Sequence, residues 1–147
     1  MKLIKLLFTT ENNCVTLNTG LLFMRLFVGI FMLTHGFDKL MNYAQLSQSF
    51  PDIIGLGSKA ALNLIIFAEF GCSILLILGL FTRLATVPLI IGMSVAAFAA
   101  QAGQSFAAKE LAIVYFCIYI GLMILGPGKF SLDGCISNWL DKSQNKV

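Results

Sequence analysis

The stretch Asn63-Leu-Ile-Ile-Phe-Ala-Glu69-Phe-Gly-Cys-Ser-Ile-Leu-Leu-Ile-Leu78 carries a single charge, the carboxylate of Glu69, in an otherwise mostly apolar run. Extended to residues 60 and 80, it reaches the length of about 20 residues that a helix needs to cross a bilayer. A carboxylate near the centre of such a span costs about 2.5–3.5 kcal/mol on insertion scales. Groups of this kind face a bundle interior and have a partner there. The sequence offers Arg25, within Gly20-Leu-Leu-Phe-Met-Arg25-Leu-Phe-Val-Gly29. An Arg25–Glu69 ion pair is therefore expected, and the chain reads as more than a hydrophobic anchor.

Working outward, the same apolar pattern recurs. Of 147 residues, 58% are hydrophobic and only 12% charged, and the mean hydropathy is +0.87. That excludes an ordinary water-soluble domain. Four spans are predicted, at about 19–40, 60–80, 86–102 and 110–126, in an all-α integral membrane four-helix bundle. The third is short unless it runs on to Gln104. Residues 1–18 read as an N-terminal segment with a short helix on the membrane surface. Lys5 breaks its apolar run and no small-residue cleavage pattern follows, so it does not read as a signal peptide. Residues 127–147 form a tail, with Trp139 as an interfacial anchor.

The net charge is +3. The cations are scattered and flank spans, so nucleic-acid binding is not expected. Lys2, Lys5, Arg83, Lys129, Lys142 and Lys146 fall on one side of a four-span arrangement, and Lys39, Lys59 and Lys109 on the other. The excess places both termini in the cytoplasm. The long connection, about 42–59, then lies outside. It is rich in Phe50, Ile53, Ile54 and Leu56, so it is expected to fold back on the bundle, with Ser58 capping the second span.

Cys14, Cys72, Cys117 and Cys135 form no CxxC, and there is one histidine. A disulfide framework, a zinc site or a haem site is not expected. The chain carries no cofactor motif of its own.

Within the first span, Arg25, Gly29, Met32, Gly36 and Lys39 follow a 4-3-4-3 spacing, which traces one helix face. Gly92, Ala96, Ala99 or Ala100, and Gly103 form a row of small residues suited to close helix approach. At about 1.5 Å per residue, Glu69 lies roughly 13 Å and Arg25 roughly 22 Å from the outer edge, with His35 roughly 7 Å deep. Gln101, Gln104 and Glu110 cluster near that edge. A polar pocket open outward or sideways to lipid is the expectation. Each element also has a structural reading: a register-fixing ion pair for Arg25 and Glu69, packing for Tyr115 and Tyr119, and helix-dipole complementation for Glu110.

Several pieces in this order resemble the DoxX family of small bacterial and archaeal membrane proteins. They are Arg25-Leu-Phe-Val-Gly29 through His35-Gly36-Phe-Asp38-Lys39-Leu40, then Phe50-Pro51-Asp52 with Gly55-Leu-Gly57-Ser58. Ala68-Glu69-Phe-Gly71, Leu78-Gly79-Leu-Phe-Thr82-Arg83 and Lys109-Glu110 follow. The last is Gly126-Pro127-Gly128-Lys-Phe-Ser131-Leu132-Asp133. The resemblance implies a four-helix protein of the bacterial cytoplasmic membrane. Arg25, Lys39, Glu69 and Glu110 match recurrent polar positions of the family pattern. The family takes its name from a subunit of a thiosulfate:quinone oxidoreductase. Relatives often carry a histidine late in the third span, where this chain has Gln101 and Gln104.

The leading expectation is a membrane component of a quinone-linked redox or oxidative-stress system. Glu69 and His35 are assigned a proton relay. Arg25, Lys39, Gln101 and Glu110 are assigned to ligand binding, with a bound quinone as the ligand and no metal. Electrons would come from a redox partner protein. Whether the chain is itself an enzyme, and whether it forms a homo-oligomer, stay open. The alternatives are a non-enzymatic scaffold for a partner protein and, third, a small-molecule carrier, although no inverted repeat or broken helix is visible.

Overall fold

The structure, a computed structural model, describes residues 14–53 and 55–144. Of the expected N-terminal segment 1–18 with its surface helix, residues 1–13, with Lys2 and Lys5, lie outside the described residues, as do Ile54 and Lys146, and residues 14–18 belong to the first long helix.

The described residues contain helices and no strand. Helix α1 is Cys14–Met41 and the short α2 is Tyr43–Ser49. Span two is built from α3 (Ser58–Ile66), a π-helical stretch Phe67–Cys72, and α4 (Ser73–Leu78). Span three is α5 (Thr82–Ser94) followed by a second π-helical stretch, Val95–Ala100. Span four is α6 (Phe106–Leu125), and α7 (Leu132–Gln144) follows it. Four helices, Val15–Met41, Ser58–Leu78, Thr82–Ala100 and Phe106–Leu125, are long and apolar enough to cross a membrane.

Spans two and four lie at Ser58–Leu78 and Phe106–Leu125 where 60–80 and 110–126 were expected, and spans one and three differ for local reasons. Span one starts before residue 19 because its polar first turns find partners. Thr19 Oγ1 donates to the Val15 carbonyl at 2.9 Å, and Asn18 Oδ1 accepts from the Lys129 amide at 2.7 Å. Span three runs from Thr82 to Ala100 where 86–102 was expected, and it does not run on to Gln104. At 1.5 Å per residue its 19 residues reach about 28 Å, close to the bilayer core. Pro88 lies inside this helix and removes the amide that would bond to the Leu84 carbonyl.

Neighbouring spans pack in chain order, most extensively one on two and three on four, with fewer contacts between spans one and four. The expected stripe of span one faces inward: Arg25, Gly29, Met32 and Gly36 are buried and Lys39 half-buried. Gly36 is required there. A Cβ on it would stand 2.6 Å from the Phe70 amide nitrogen and 2.7 Å from the Glu69 carbonyl carbon. Span one thus touches the π-helical backbone of span two directly.

The long connection does fold back, with α2 packed on α3 and α1. Its cap differs from expectation. Gly57, not Ser58, occupies the N-cap position of α3 and makes no side-chain cap. The Asp52 carboxylate instead accepts from the amides of Leu56 (2.9 Å) and Gly57 (2.8 Å). A carboxylate has two acceptor oxygens and so holds two consecutive amides, where a serine hydroxyl holds one.

Candidate functional site

Arg25 and Glu69 do not meet. Glu69, 4% exposed, pairs through Oε2 with the ammonium of Lys39. Arg25, 2% exposed, points the other way and donates to the carbonyls of Pro127 and Phe130, the latter at 2.8 Å. The physical reason is the lean of helical side chains. Every Cα–Cβ bond tilts toward its own helix N-terminus. Spans one and two run antiparallel, so Arg25 leans toward the end of the bundle that holds the termini. Glu69 leans toward the end that holds the long connection, where Lys39 lies. Axial proximity brought the two residues together on paper, and the opposite lean separates their charged groups.

Arg25 belongs to a clasp at the termini end. Helix α4 closes with Gly79 in the left-handed conformation (φ 68°). The Leu80 amide donates to the Leu75 carbonyl and the Gly79 amide to Leu76, which satisfies two orphan carbonyls of the helix end. Two residues later Phe81 also has positive φ, 48°, a strained state for a bulky residue. It is held by Asp133, whose carboxylate accepts from the amides of Phe81 (2.8 Å) and Thr82 (2.9 Å). The Asp133 amide returns a bond to the Gly79 carbonyl at 2.9 Å. A side chain at Gly79 would strike Ser131 Cβ at 2.6 Å and the Arg25 guanidinium at 2.7 Å. Ser131 Oγ donates to the Gly128 carbonyl and accepts from the Gly134 amide. The motif Gly126-Pro-Gly-Lys-Phe-Ser-Leu-Asp133 is therefore the strap that ties the tail to spans one, two and three.

Lys39 and Glu69 sit elsewhere, on the wall of a cavity of about 590 Å³ between spans two and three at the loop end. Span two contributes Ala61, Leu64, Ile65, Phe67 and Ala68. Span three contributes Pro88, Ile91, Gly92, Val95, Ala96 and Ala100. Phe50, Pro51 and Ile53 of the connection complete the wall. Leu64, Phe67 and Ile91 are themselves exposed, so the cavity opens sideways, toward lipid in a bilayer. Both π-helical stretches border it, and such turns recur at functional sites. The row of small residues was expected to bring helices together. Gly92 does meet Ile65, since a Cβ there would lie 2.9 Å from Ile65 Cδ1. Ala96 and Ala100 instead leave space that becomes cavity. The polar pocket of expectation is in fact apolar, with one ion pair.

The other expected site residues disperse. His35 is exposed one turn before Lys39 and lies edge-on to the Tyr115 ring, 6.5 Å between centroids. No hydrogen bond joins it to Glu69 among the described residues. Tyr115 stacks on Tyr119 at 5.9 Å. Gln101 is half-buried at the end of span three, and its Oε1 has no hydrogen-bond partner among the described residues. Glu110 is exposed near the start of α6. Phe50, Pro51, Ile53 and Pro88 were not expected at a site. The signal available in the sequence was the apolar character of the loop around Pro51.

A bundle of four apolar spans with a side-opening cavity defines a multi-pass membrane protein. The sequence profile of the DoxX family matches residues 20–102, more than half of the chain, and the protein belongs to the DoxX family. The match takes in Arg25, Lys39 and Glu69, and it ends before the strap at 126–133. No curated protein and no solved structure matches the chain.

Proposed function

We propose that this protein is the membrane component of a quinone-linked redox or oxidative-stress system, with the cavity between spans two and three as its quinone site. The observation that carries the reading is the pair of half-buried Lys39 with buried Glu69, set in the wall of an otherwise apolar, laterally open cavity. Its volume of about 590 Å³ lies within the range of small-molecule sites, about 300–1,000 Å³. A quinone dissolved in the bilayer enters through the side opening without crossing water. Its carbonyl oxygen accepts a hydrogen bond from the Lys39 ammonium, a charge-assisted contact that is strong in an apolar site.

Reduction of a quinone to a quinol takes up two electrons and two protons. In this reading the electrons come from a redox partner protein, and Glu69 takes up each of the two protons from water at the loop end and passes it to a quinone oxygen. Lys39 holds the headgroup and keeps Glu69 beside it. The protein works in the cytoplasmic membrane of a bacterium, with its termini and the Arg25 clasp on the cytoplasmic side, in line with Arg83 and Lys129 at that end. Arg25 serves the clasp and not the ligand.

The test is equilibrium binding of a short-chain quinone analogue to the protein in lipid nanodiscs. Wild type is expected to bind saturably. Glu69→Gln and Lys39→Met are expected to bind at least tenfold more weakly while keeping wild-type helicity. Absence of saturable binding in wild type, or equal binding in all three proteins, would refute the reading.

A further inference from the structure

The helix α7 (Leu132–Gln144) after the strap turns large apolar side chains outward. At about 100° per residue, Leu132, Ile136 and Trp139 fall within one narrow stripe. All three are exposed, at 44%, 47% and 69%. The first turn of α7 meets the end of span three through a polar residue. Asp133 is spent on the amides of Phe81 and Thr82. Gly134 packs on the strap, so closely that a Cβ on it would meet the Lys129 carbonyl oxygen at 2.8 Å. A helix that turns its apolar stripe outward is stable where the outside is apolar.

The clasp fixes where that outside is. Asp133 is bonded to the first residues of span three, so α7 begins level with the end of a membrane span. Phe81 and Leu84 beside it are exposed, as is Leu125 at the end of span four. The apolar stripe of α7 therefore continues the lipid-facing band of the bundle.

We propose that α7 lies on the bilayer surface at the termini end, with Leu132, Ile136 and Trp139 in the headgroup–acyl boundary. The occupant of this face is lipid. Its association is apolar and not electrostatic, because residues 129–147 hold three lysines against two aspartates, one of which is the capping Asp133. The strap thereby couples the membrane surface to Arg25 in the bundle interior through Phe130 and Asp133.

Trp139 is the single tryptophan of the chain, so the wild-type protein carries its own reporter. The full-length protein is reconstituted into zwitterionic phosphatidylcholine vesicles, with and without bromine on the upper acyl chain, and tryptophan emission is recorded with iodide on both sides of the membrane. Brominated lipid is expected to quench Trp139 at least twofold, with little iodide quenching and no change on raising the salt. Ile136→Asp, which puts a charge in the stripe, is expected to restore iodide access. Strong iodide quenching with no effect of brominated lipid would overturn the proposal, since α7 would then stand in water. Shielding from both quenchers would overturn it equally, because a second copy or another part of the chain would cover the stripe.

Discussion

Replacing Arg25 separates a structural role from a ligand-binding one. In Arg25→Met the unbranched apolar stem is kept, while the two donors to the Pro127 and Phe130 carbonyls are lost. Hydrogen bonds from a charged donor contribute about 1.5–3 kcal/mol each, so two give an upper bound of about 3–6 kcal/mol. Against that, the variant no longer buries a guanidinium, whose desolvation costs several kcal/mol. The net loss expected is about 2 kcal/mol, or roughly a 30-fold shift toward the unfolded state. The loss is local at first. With Arg25 gone, the strap at Pro127–Phe130 loosens before the spans do, since its other ties are the Asp133 bonds to Gly79, Phe81 and Thr82 and the Asn18–Lys129 contact. The assay is reversible unfolding in mixed micelles, followed by helicity and by Trp139 emission. Trp139 should report an earlier transition than helicity in Arg25→Met and a coincident one in wild type. Binding of the quinone analogue should stay within about threefold of wild type, a difference of roughly 0.6 kcal/mol. A variant as stable as wild type that has lost binding would refute the reasoning and return Arg25 to the ligand site.

Two further perturbations test the architecture. Gly36→Leu places side-chain atoms against the backbone of Glu69 and Phe70. Overpacking of this kind costs about 1–3 kcal/mol, and separating spans one and two should also part Lys39 from Glu69; the check is loss of thermal stability together with loss of analogue binding. Asp133→Ala removes the acceptor for the Phe81 and Thr82 amides and should cost about 1–2 kcal/mol, as lost helix caps do. Asp133→Asn should recover part of that, with analogue binding unchanged in both, measured by thermal unfolding and equilibrium binding.

The inward stripe of span one was legible because it is a property of one helix: the spacing of Arg25, Gly29, Met32, Gly36 and Lys39 needs only a 3.6-residue period. The cavity was only half legible. Glu69 marked the place, but Ala96 and Ala100 read as helix contacts, since a row of small residues is equally compatible with a close approach and with a gap. Which of the two occurs depends on the π-helical turns at Phe67–Cys72 and Val95–Ala100, and no periodicity announces an extra residue in a turn. The closing motif at 126–133 stood out in the sequence as part of the family resemblance, although the family profile ends before it, while its work as a strap required spans one, two and three to be in place.

By itself, the sequence determined the membrane class, the four spans and the buried face of span one. Those follow from apolar length and from periodicity, which act along a single chain segment. Only the tertiary structure decided the partners of the buried charges. Lys39 holds Glu69, and the strap carbonyls hold Arg25, because neighbouring antiparallel helices tilt their side chains in opposite directions. That tilt becomes a pairing rule only once two helices stand side by side.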